Sequence, residues 1–362
     1  MSGHDALMQI LDLARWAPSG DNTQPWRFEI IDGQHLVVHG FDTRDHCVYD
    51  LDGRPSQISL GALLETISIA ASAHDMATRI VRRTSVPDTT PTFDLRFETA
   101  PGLEVDPLVS CITRRCVQRR AMSVRSLTPS EKQVLEASVS PGFEVQWLER
   151  PRDRWRAAWL MFKNAKLRLM LPEAYQVHRD VIQWDSQFSE DRVPAQALGV
   201  DRMTLRIMRF VMRDWRRVKF FNTYFAGTLL PRVQMDLIPG LACAAHVVIK
   251  SKRALATVDD LIAAGREVQR FWLTVTQLGL WQQPEMTPLI FGAYARAARP
   301  FTSDSRLRKM AGDLEVKTGA LLGPGYDRAV WMGRVGAGRA PVARSTRRAV
   351  QHLMVQHVSA SE

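Results

Sequence analysis

The period of the apolar residues changes repeatedly along the chain, and this constrains the fold more than any other feature. A period of about 3.6 residues, typical of helices that bury one face, runs through 4–15, 59–73 and 257–279. Short segments typical of strands lie at 27–32, 35–40, 78–82, 92–98, 143–148, 243–251 and 329–336. Because the strands are few and short and the helices are unevenly distributed, the sequence predicts an α+β fold.

Three helix starts carry local signals. Ser59 and Thr257 each precede an apolar run as N-cap candidates, and Thr128 and Glu131 form a capping box with Pro129 at the first helical position. A helical region rich in Trp and Arg spans about 152–235 and is interrupted by an aperiodic segment at 186–199. The succession of a helix, a strand pair and a second apolar helix occurs weakly twice along the chain. This repetition predicts two halves, 1–105 and 106–362, with 152–235 as a helical or lid insertion in the second.

Charge and composition limit the classes of protein. The 362 residues include 48 Lys+Arg against 38 Asp+Glu, a net charge of +10, which suggests a nucleic acid, an anionic membrane surface or an anionic ligand as partner. No apolar run approaches the roughly 18 residues of a membrane span, and no signal-peptide pattern opens the sequence. Four cysteines without CxxC spacing indicate neither a zinc ribbon nor a disulfide framework. We therefore expect a cytoplasmic protein.

Familiar catalytic motifs are missing from the sequence. It contains no GxGxxG, no GxxxxGK[ST] and no GxSxG, and its nine histidines lack HxxxH or HxH spacing, so no metal site is predicted. Cys116 has electropositive neighbours that favour a thiolate, but no partnering base is indicated. Catalytic residues are therefore left unassigned.

Arginine runs without acids are more informative. Such runs are typical of phosphate binding, because guanidinium forks match phosphate oxygens, although a solvated surface is the alternative. They comprise Arg114, Arg115, Arg119 and Arg120 in one run and Arg344, Arg347 and Arg348 in another. A third basic region, 202–219, places Arg202, Arg206, Arg209 and Arg213 on one helical stripe beside apolar residues. It predicts either an ordinary surface helix over a core or a helix that binds a membrane surface or a partner.

The loop PSGDNTQPW at 18–26 is dense in short hydrogen-bonding side chains. A structural turn would account for its Ser, Asp and Asn. It would not require Asn22, Gln24 and Trp26 together, which offer amide groups and a planar surface suited to a heterocycle.

At these residues the chain resembles the nitroreductase superfamily of flavin enzymes. The family loop is matched by PSGDNTQPWRF at 18–28, the phosphate-binding start resembles 115–119, the C-terminal basic pair resembles 344–348, and 264–284 is similar to the family's central helix. The order of these motifs, with 50–65 and 182–199, resembles the enlarged single-chain Acg-like branch. That resemblance implies a mostly antiparallel central sheet flanked by helices, duplicated within the chain to imitate the family dimer, with one FMN.

The resemblance also implies residue roles. Arg115, Arg119 and Arg347 would hold the phosphate of FMN, with Arg114 and Arg348 as second choices. Ser19, Asn22 and Gln24 would bond the ring edge or the ribityl chain, and Trp26 would pack beneath the loop. The expected function is hydride transfer from NAD(P)H through flavin to a small organic acceptor, by a monomer or homodimer.

Two other functions stay open. A flavin-sequestering or storage protein without turnover fits the same motifs. A basic module for membranes or nucleic acids is less well supported, since no nucleic-acid motif accompanies the charge, and we predict no nucleic-acid partner and no integral membrane segment.

Overall fold

The computed structural model describes residues 2–356, and it confirms the α+β class. Two four-stranded sheets carry the fold, and every strand pairing within them is antiparallel. Residues 357–362, the end of the second predicted half, lie outside the described residues. None of the helices within 2–356 is long and apolar enough to cross a membrane.

The first part of the chain forms the elements that the sequence predicts. They are α1 (Gly3–Ala14), β1 (Trp26–Asp32), β2 (His35–Gly40), α2 (Arg54–Ser72), β3 (Met76–Arg82), β4 (Thr92–Thr99), α3 (Pro129–Ala137) and β5 (Phe143–Leu148). The capping box of Thr128 and Glu131 at the start of α3 is confirmed.

The predicted N-cap at Ser59 is wrong, because α2 begins five residues earlier. Gly53, in the left-handed region at φ 74°, turns the chain into the helix. The buried Asp50 carboxylate then accepts a hydrogen bond from the Ser56 amide (3.0 Å), which satisfies a donor in the first turn. Ser59 lies inside the helix, where its hydroxyl donates to the carbonyl of Pro55.

The region 152–235 is predominantly helical, as its sequence predicts, and its role as an insertion stays a prediction. It contains α4 (Pro151–Met170), α5 (Pro172–Val181), β6 (Ile182–Gln183), β7 (Phe188–Ser189), β8 (Val193–Pro194), α6 (Arg202–Val211), α7 (Trp215–Tyr224), α8 (Leu229–Arg232), a π-helical turn (Val233–Leu237) and α9 (Ile238–Leu241). The aperiodic segment 186–199 is mostly irregular and contributes two-residue strands.

The remaining elements complete the second sheet. They are β9 (Ala245–Ser251), α10 (Val258–Gln277), β10 (Trp281–Pro284), α11 (Thr287–Arg296), α12 (Ser305–Leu322), β11 (Ala329–Gly336) and β12 (Arg344–Ser345). Thr257 caps α10 through the amide of Asp260, as its position predicts. The sequence reading did not identify β10, α11 or α12.

The two sheets have the same topology. The first has the order β1-β2-β4-β3 and the second β5-β9-β11-β10, with α2 and α10 each inserted between the second and third strands of its own sheet. This repetition supports the expected internal duplication. The boundary placed at 105/106 falls between β4 and α3 and stays a prediction.

The central helices α2 and α10 cross at a pair of glycines. A Cβ on Gly61 would lie 2.1 Å from the carbonyl oxygen of Ile262, and one on Gly265 would lie 2.1 Å from that of Ile58. The glycine of each helix thus lies against the backbone of the other helix, three residues before that helix's own glycine. This reciprocity is what two-fold-related helices show at their contact.

Each sheet is also bridged by a segment that lies far from it in the chain. Near the C-terminus, Met354 bridges Phe28 of β1, and Val117, after the first sheet, bridges Gln282 of β10. Segment 115–119 contains the bridge at Val117, and segment 344–348 shortly precedes the bridge at Met354. Both segments are thereby brought to the loop at 18–26.

Candidate functional site

The loop at 18–26 holds an unusual backbone. Asp21, Asn22 and Gln24 all have positive φ, at 50°, 64° and 51°. Left-handed residues other than glycine are uncommon, and three within four positions persist only where the surroundings fix them. The loop is therefore held in place by its neighbours.

The fixing contacts come from side chains of the loop itself. The Asn22 amide donates to the carbonyls of Arg192 and Thr346 (3.3 Å each). The side-chain NH₂ of Gln24 donates to the backbone carbonyls of Asn22 (3.0 Å) and Glu190 (2.8 Å). Its side-chain oxygen accepts from the backbone N–H of Arg348 (3.0 Å). Gln24 is thus engaged as a structural tie, and Asn22 keeps an Oδ1 atom without a partner within the described residues.

Ser19 and Trp26 frame the loop. The hydroxyl of Ser19 accepts a hydrogen bond from the backbone N–H of Gln24 (3.0 Å). Trp26 is fully buried in the core around the first sheet, with its Nε1 unpaired among the described residues. Both residues stabilise the loop from within.

Three arginines converge behind this loop. Arg115 donates to the carbonyl of Trp16 (2.8 Å) and Arg347 donates to that of Ala17 (3.0 Å). The guanidinium of Arg344 lies 4.8 Å from the centre of the Trp16 ring. The structure thus places Arg115 beside Arg347, which the sequence also assigned to the phosphate, and beside Arg344; their role stays a prediction.

This arginine cluster (Arg115, Arg344 and Arg347) lacks compensating acids. Within residues 2–356, none of its members forms an ion pair with a carboxylate. Burial, together with the charge of Arg344, lowers the pKa of Arg115 to about 10, and burial and the two neighbouring cations hold the pKa of Arg347 well below its usual value. Buried cations in this situation favour an anion between them.

The other predicted arginines have different surroundings. Arg114 is exposed. Arg348 is half-buried and contacts the Asp191 carboxylate at 3.3 Å, so its charge is already compensated. Arg119 lies away from the Arg344–Arg347 contacts, with its guanidinium donating to the carbonyl of Ala197 (3.4 Å).

Arg119 lines a cavity of about 80 Å³ between the second sheet and the insertion. Its other walls include three methionines, the chain at 283–287 and three further charged groups: Met161, Met235, Met286, Arg168, Asp236 and Arg334. The amide oxygen of Gln283 in this wall has no partner within the described residues. The cavity thus presents cations, a carboxyl group and an unpaired acceptor to a ligand.

A buried ionic triad supports one wall of the cavity. Glu285 accepts from His246 Nδ1 (2.6 Å) and from Arg334 (2.9 Å), and all three side chains are almost completely buried. Burial opposes the charge on His246, but the Glu285 carboxylate raises its pKa to about 10. Arg334 also donates to the carbonyl of Arg119 (2.9 Å), so the triad fixes the backbone at the mouth of the site.

Asp236 lies on the π-helical turn, a distortion often found at functional sites. Its Oδ2 has no hydrogen-bond partner among residues 2–356, and Arg168 approaches only to 3.9 Å. Burial raises the pKa of Asp236 to about 6, against the opposing charges of Arg168, Arg334 and Arg232 and with a contribution from Glu285. The neutral form of this carboxyl group is therefore favoured relative to that of an ordinary aspartate.

A covering segment, residues 187–194, closes the site on the side of the 18–26 loop. Its carbonyls accept from Gln24, Asn22 and Ser345, and the Thr346 amide donates to the carbonyl of Ser189 (2.7 Å). Strands β7 and β12 pair here in parallel. Residues 187–194 thus contact both the 18–26 loop and the C-terminal segment that carries the arginines.

Sequence reasoning missed Arg168, Asp236, Glu285 and Arg334. The family resemblance covers neither Arg168 nor Asp236. A single Asp or Arg within a helical segment does not indicate a functional site unless its tertiary contacts are known. Among residues 2–356, no group of three or more His, Cys, Asp or Glu side chains is arranged to hold a metal ion.

The chain is similar in part to known proteins. Residues 3–51 match the model of the Nitroreductase family. An uncharacterized protein of Mycobacterium tuberculosis (strain CDC 1551 / Oshkosh) is 24% identical over 286 residues, which are 77% of this chain and 38% of that protein. The chain thus spans well under half the length of this relative.

A solved structure is similar at a lower level. A mutant of the FMN and NADPH-dependent nitroreductase NfnB, derived from sphigopyxis sp. strain HMH, aligns with a TM-score of 0.33 and 14% identity. The alignment covers 70% of this chain and 100% of that chain.

Proposed function

We propose that this protein is an FMN-dependent oxidoreductase that passes a hydride from NAD(P)H through the flavin to a small organic acceptor. The observation that carries the proposal is the arginine cluster, whose buried guanidiniums lack carboxylates and lie behind the loop that resembles the family motif. The family match at 3–51 includes that loop.

The cluster fits a phosphomonoester. Arg115 and Arg344 each keep a buried Nε atom without a partner in the described part of the chain. Guanidiniums donate strongly to phosphate oxygens, and burial strengthens such bonds. Arg115, Arg344 and Arg347 would therefore hold the phosphate, with Asn22 Oδ1 available to accept from a ribityl hydroxyl.

The small cavity fits the polar edge of a flavin ring. A bound flavin supplies hydride chemistry, and negative charge develops near N1 and O2 on reduction. Arg119 would stabilise that charge, and Gln283 Oε1 would accept from a ring N–H. Asp236 would hold and release a proton at its unpaired Oδ2 within the same cavity.

The cavity has to widen to admit a tricyclic ring. Its volume of about 80 Å³ corresponds to only a few water molecules. Met161, Met235 and Met286 line it, and unbranched methionine side chains rearrange at low cost. We therefore infer that flavin entry moves these side chains and the covering segment.

The first experiment is the absorbance spectrum of the purified protein, followed by mass analysis of the released cofactor. Oxidised-flavin bands with FMN as the released compound would support the proposal. A colourless protein that gains no bands on addition of FMN would refute it. A double variant, Arg115→Gln with Arg347→Gln, should lose FMN, whereas the exposed control Arg114→Gln should retain it.

Flavin storage without turnover is a second candidate, and the covering segment favours it. Residues 187–194 are tied to both the 18–26 loop and the C-terminal arginines, which would slow access of a donor to the flavin. Anaerobic addition of NADH or NADPH separates the two candidates. Rapid bleaching of the flavin bands supports the oxidoreductase, and unbleached flavin after prolonged incubation supports storage.

A further inference from the structure

Helix α6 presents three distinct faces. Thr204, Leu205 and Met208 turn towards the small core formed with Ile182, Val193 and Leu198. A second face carries Arg202, Arg206 and Arg209, and Arg213 follows two residues after the helix ends. A third face carries Met203, Ile207 and Phe210, whose side chains are 61%, 43% and 48% exposed. The solvent-facing side of α6 is therefore half basic and half apolar.

Helices α7 and α8 continue this surface. The exposed apolar side chains in and between these two helices are Phe220, Tyr224, Phe225, Leu229 and Leu230. Nine of the twenty exposed large apolar side chains among residues 2–356 lie within 203–238. Soluble surfaces scatter such side chains, so their concentration in one tenth of the chain indicates a docking surface.

The charge of the same segment is strongly positive. Residues 202–232 contain eight Lys or Arg and one acid, Asp214. That acid caps α7 by accepting from the Arg216 amide, and Arg209 is paired with Asp185 from the neighbouring loop. Arg202 and Arg206 have no carboxylate partner in the described chain and are open to an anionic surface.

A basic groove lies beside the apolar face. It has a volume of about 620 Å³, and Arg120, Arg202, Arg206 and Arg209 line it together with Trp184. The groove is large enough for a phosphate-bearing headgroup, and its tryptophan is the side chain most suited to a lipid–water interface.

We propose that α6, α7 and α8 dock this protein on the surface of an anionic lipid bilayer. Helices with an apolar face and flanking arginines lie in the interfacial plane, with their apolar side chains inserted and their arginines on lipid phosphates. Mutual repulsion of eight like charges disfavours a second copy of the chain as the occupant. The proposal is independent of the flavin chemistry.

The test is co-sedimentation of the 362-residue chain with vesicles. Vesicles of phosphatidylcholine with phosphatidylglycerol should pellet the protein, vesicles of phosphatidylcholine alone should bind it at least about tenfold more weakly, and added salt should weaken binding. The double variant Arg202→Gln with Arg206→Gln should lower partitioning roughly 30-fold. The double variant Met203→Gln with Ile207→Gln should lower it by at least about tenfold.

Matched controls remove the same groups elsewhere. Arg79→Gln with Lys309→Gln removes two exposed charges, and Val105→Gln with Val316→Gln removes two exposed apolar side chains. Both controls should bind within about twofold of the wild type, because their sites are outside the docking surface. Thermal melting of every variant verifies the fold.

The following outcomes would overturn the proposal. They are absence of binding to anionic vesicles, equal binding to neutral ones, equal effects of test and control variants, and a dimer in analytical ultracentrifugation that the Met203/Ile207 variant dissolves. The last outcome would assign the surface to a second copy. Abolition of vesicle binding by soluble glycerol phosphate would instead assign the groove to a small phosphate ligand.

Discussion

Replacing Arg115 with glutamine should affect the cofactor and the apoprotein in opposite directions. The guanidinium is only 3% exposed, and burial lowers its pKa from 12.5 to about 10. That change corresponds to about 3 kcal/mol of unfavourable free energy for the charged form at neutral pH. Burial of the Arg115 guanidinium without a carboxylate therefore costs the apoprotein stability, as the proposed anion site requires.

The substitution also removes favourable contacts. Arg115 donates to the Trp16 carbonyl and lies 4.5 Å above the Trp272 ring, contacts worth about 1 to 3 kcal/mol together. Glutamine preserves part of the first contact. We therefore expect the free energy of unfolding of the apoprotein to stay within about 1 kcal/mol of wild type, or to rise.

FMN binding should weaken clearly. Loss of one charge-assisted phosphate bond, about 1.5–3 kcal/mol, raises the Kd roughly 10- to 150-fold. Fluorescence titration of the apoprotein with FMN measures the Kd, and urea denaturation without FMN measures stability. Arg114→Gln, an exposed neighbour with the same charge change, should alter neither.

Two results would refute this reasoning. An unchanged Kd in a folded variant would remove Arg115 from the phosphate site. An apoprotein destabilised by more than about 3 kcal/mol would show that the guanidinium is compensated in solution and that the cluster is structural.

Three further predictions concern stability. The pKa of Asp236 is raised to about 6, so the folded protein keeps a proton that the unfolded chain releases from about pH 4. The free energy of unfolding should therefore fall by up to about 3 kcal/mol as the pH rises from 4 to 6. Urea denaturation at several pH values should show this fall, and Asp236→Asn should reduce it. Gly265→Ala should destabilise the protein by about 1–3 kcal/mol or more, since its Cβ would overlap the facing helix, whereas Gly312→Ala, with open space, should be neutral or stabilising in thermal melts. Glu285→Gln leaves buried His246 without its carboxylate and should cost about 3–5 kcal/mol, and a loss below 1 kcal/mol would contradict the ionic assignment.

Local signals accounted for most of the helices and strands. Capping residues such as Thr128 and Thr257 act within one helical turn, so their effect is readable from neighbours in sequence. Ser59 failed because a distant carboxylate and a left-handed glycine started the helix earlier. Helix α12 was not identified because its buried stripe, Leu307 to Leu321, is diluted by charged residues on every turn.

The candidate site divides in the same way. The sequence located the 18–26 loop and the arginine runs, because residue type and spacing carry those signals. It ranked Arg348 below Arg115 only through the family resemblance, because no local signal shows that Arg115 is buried without an acid whereas Asp191 neutralises Arg348. That distinction depends on the folding of 187–194 over the loop.

The sequence by itself determined the α+β class, the motif loop and the acid-free arginines, since each rests on residue identity over a few positions. Only the tertiary structure decided that α2 and α10 meet glycine to glycine, that Arg344 joins Arg115 and Arg347, and that Asp236 faces Arg119 across a cavity. These relations join residues that are far apart in the chain. Burial and charge act through space, and the order of residues does not record those distances.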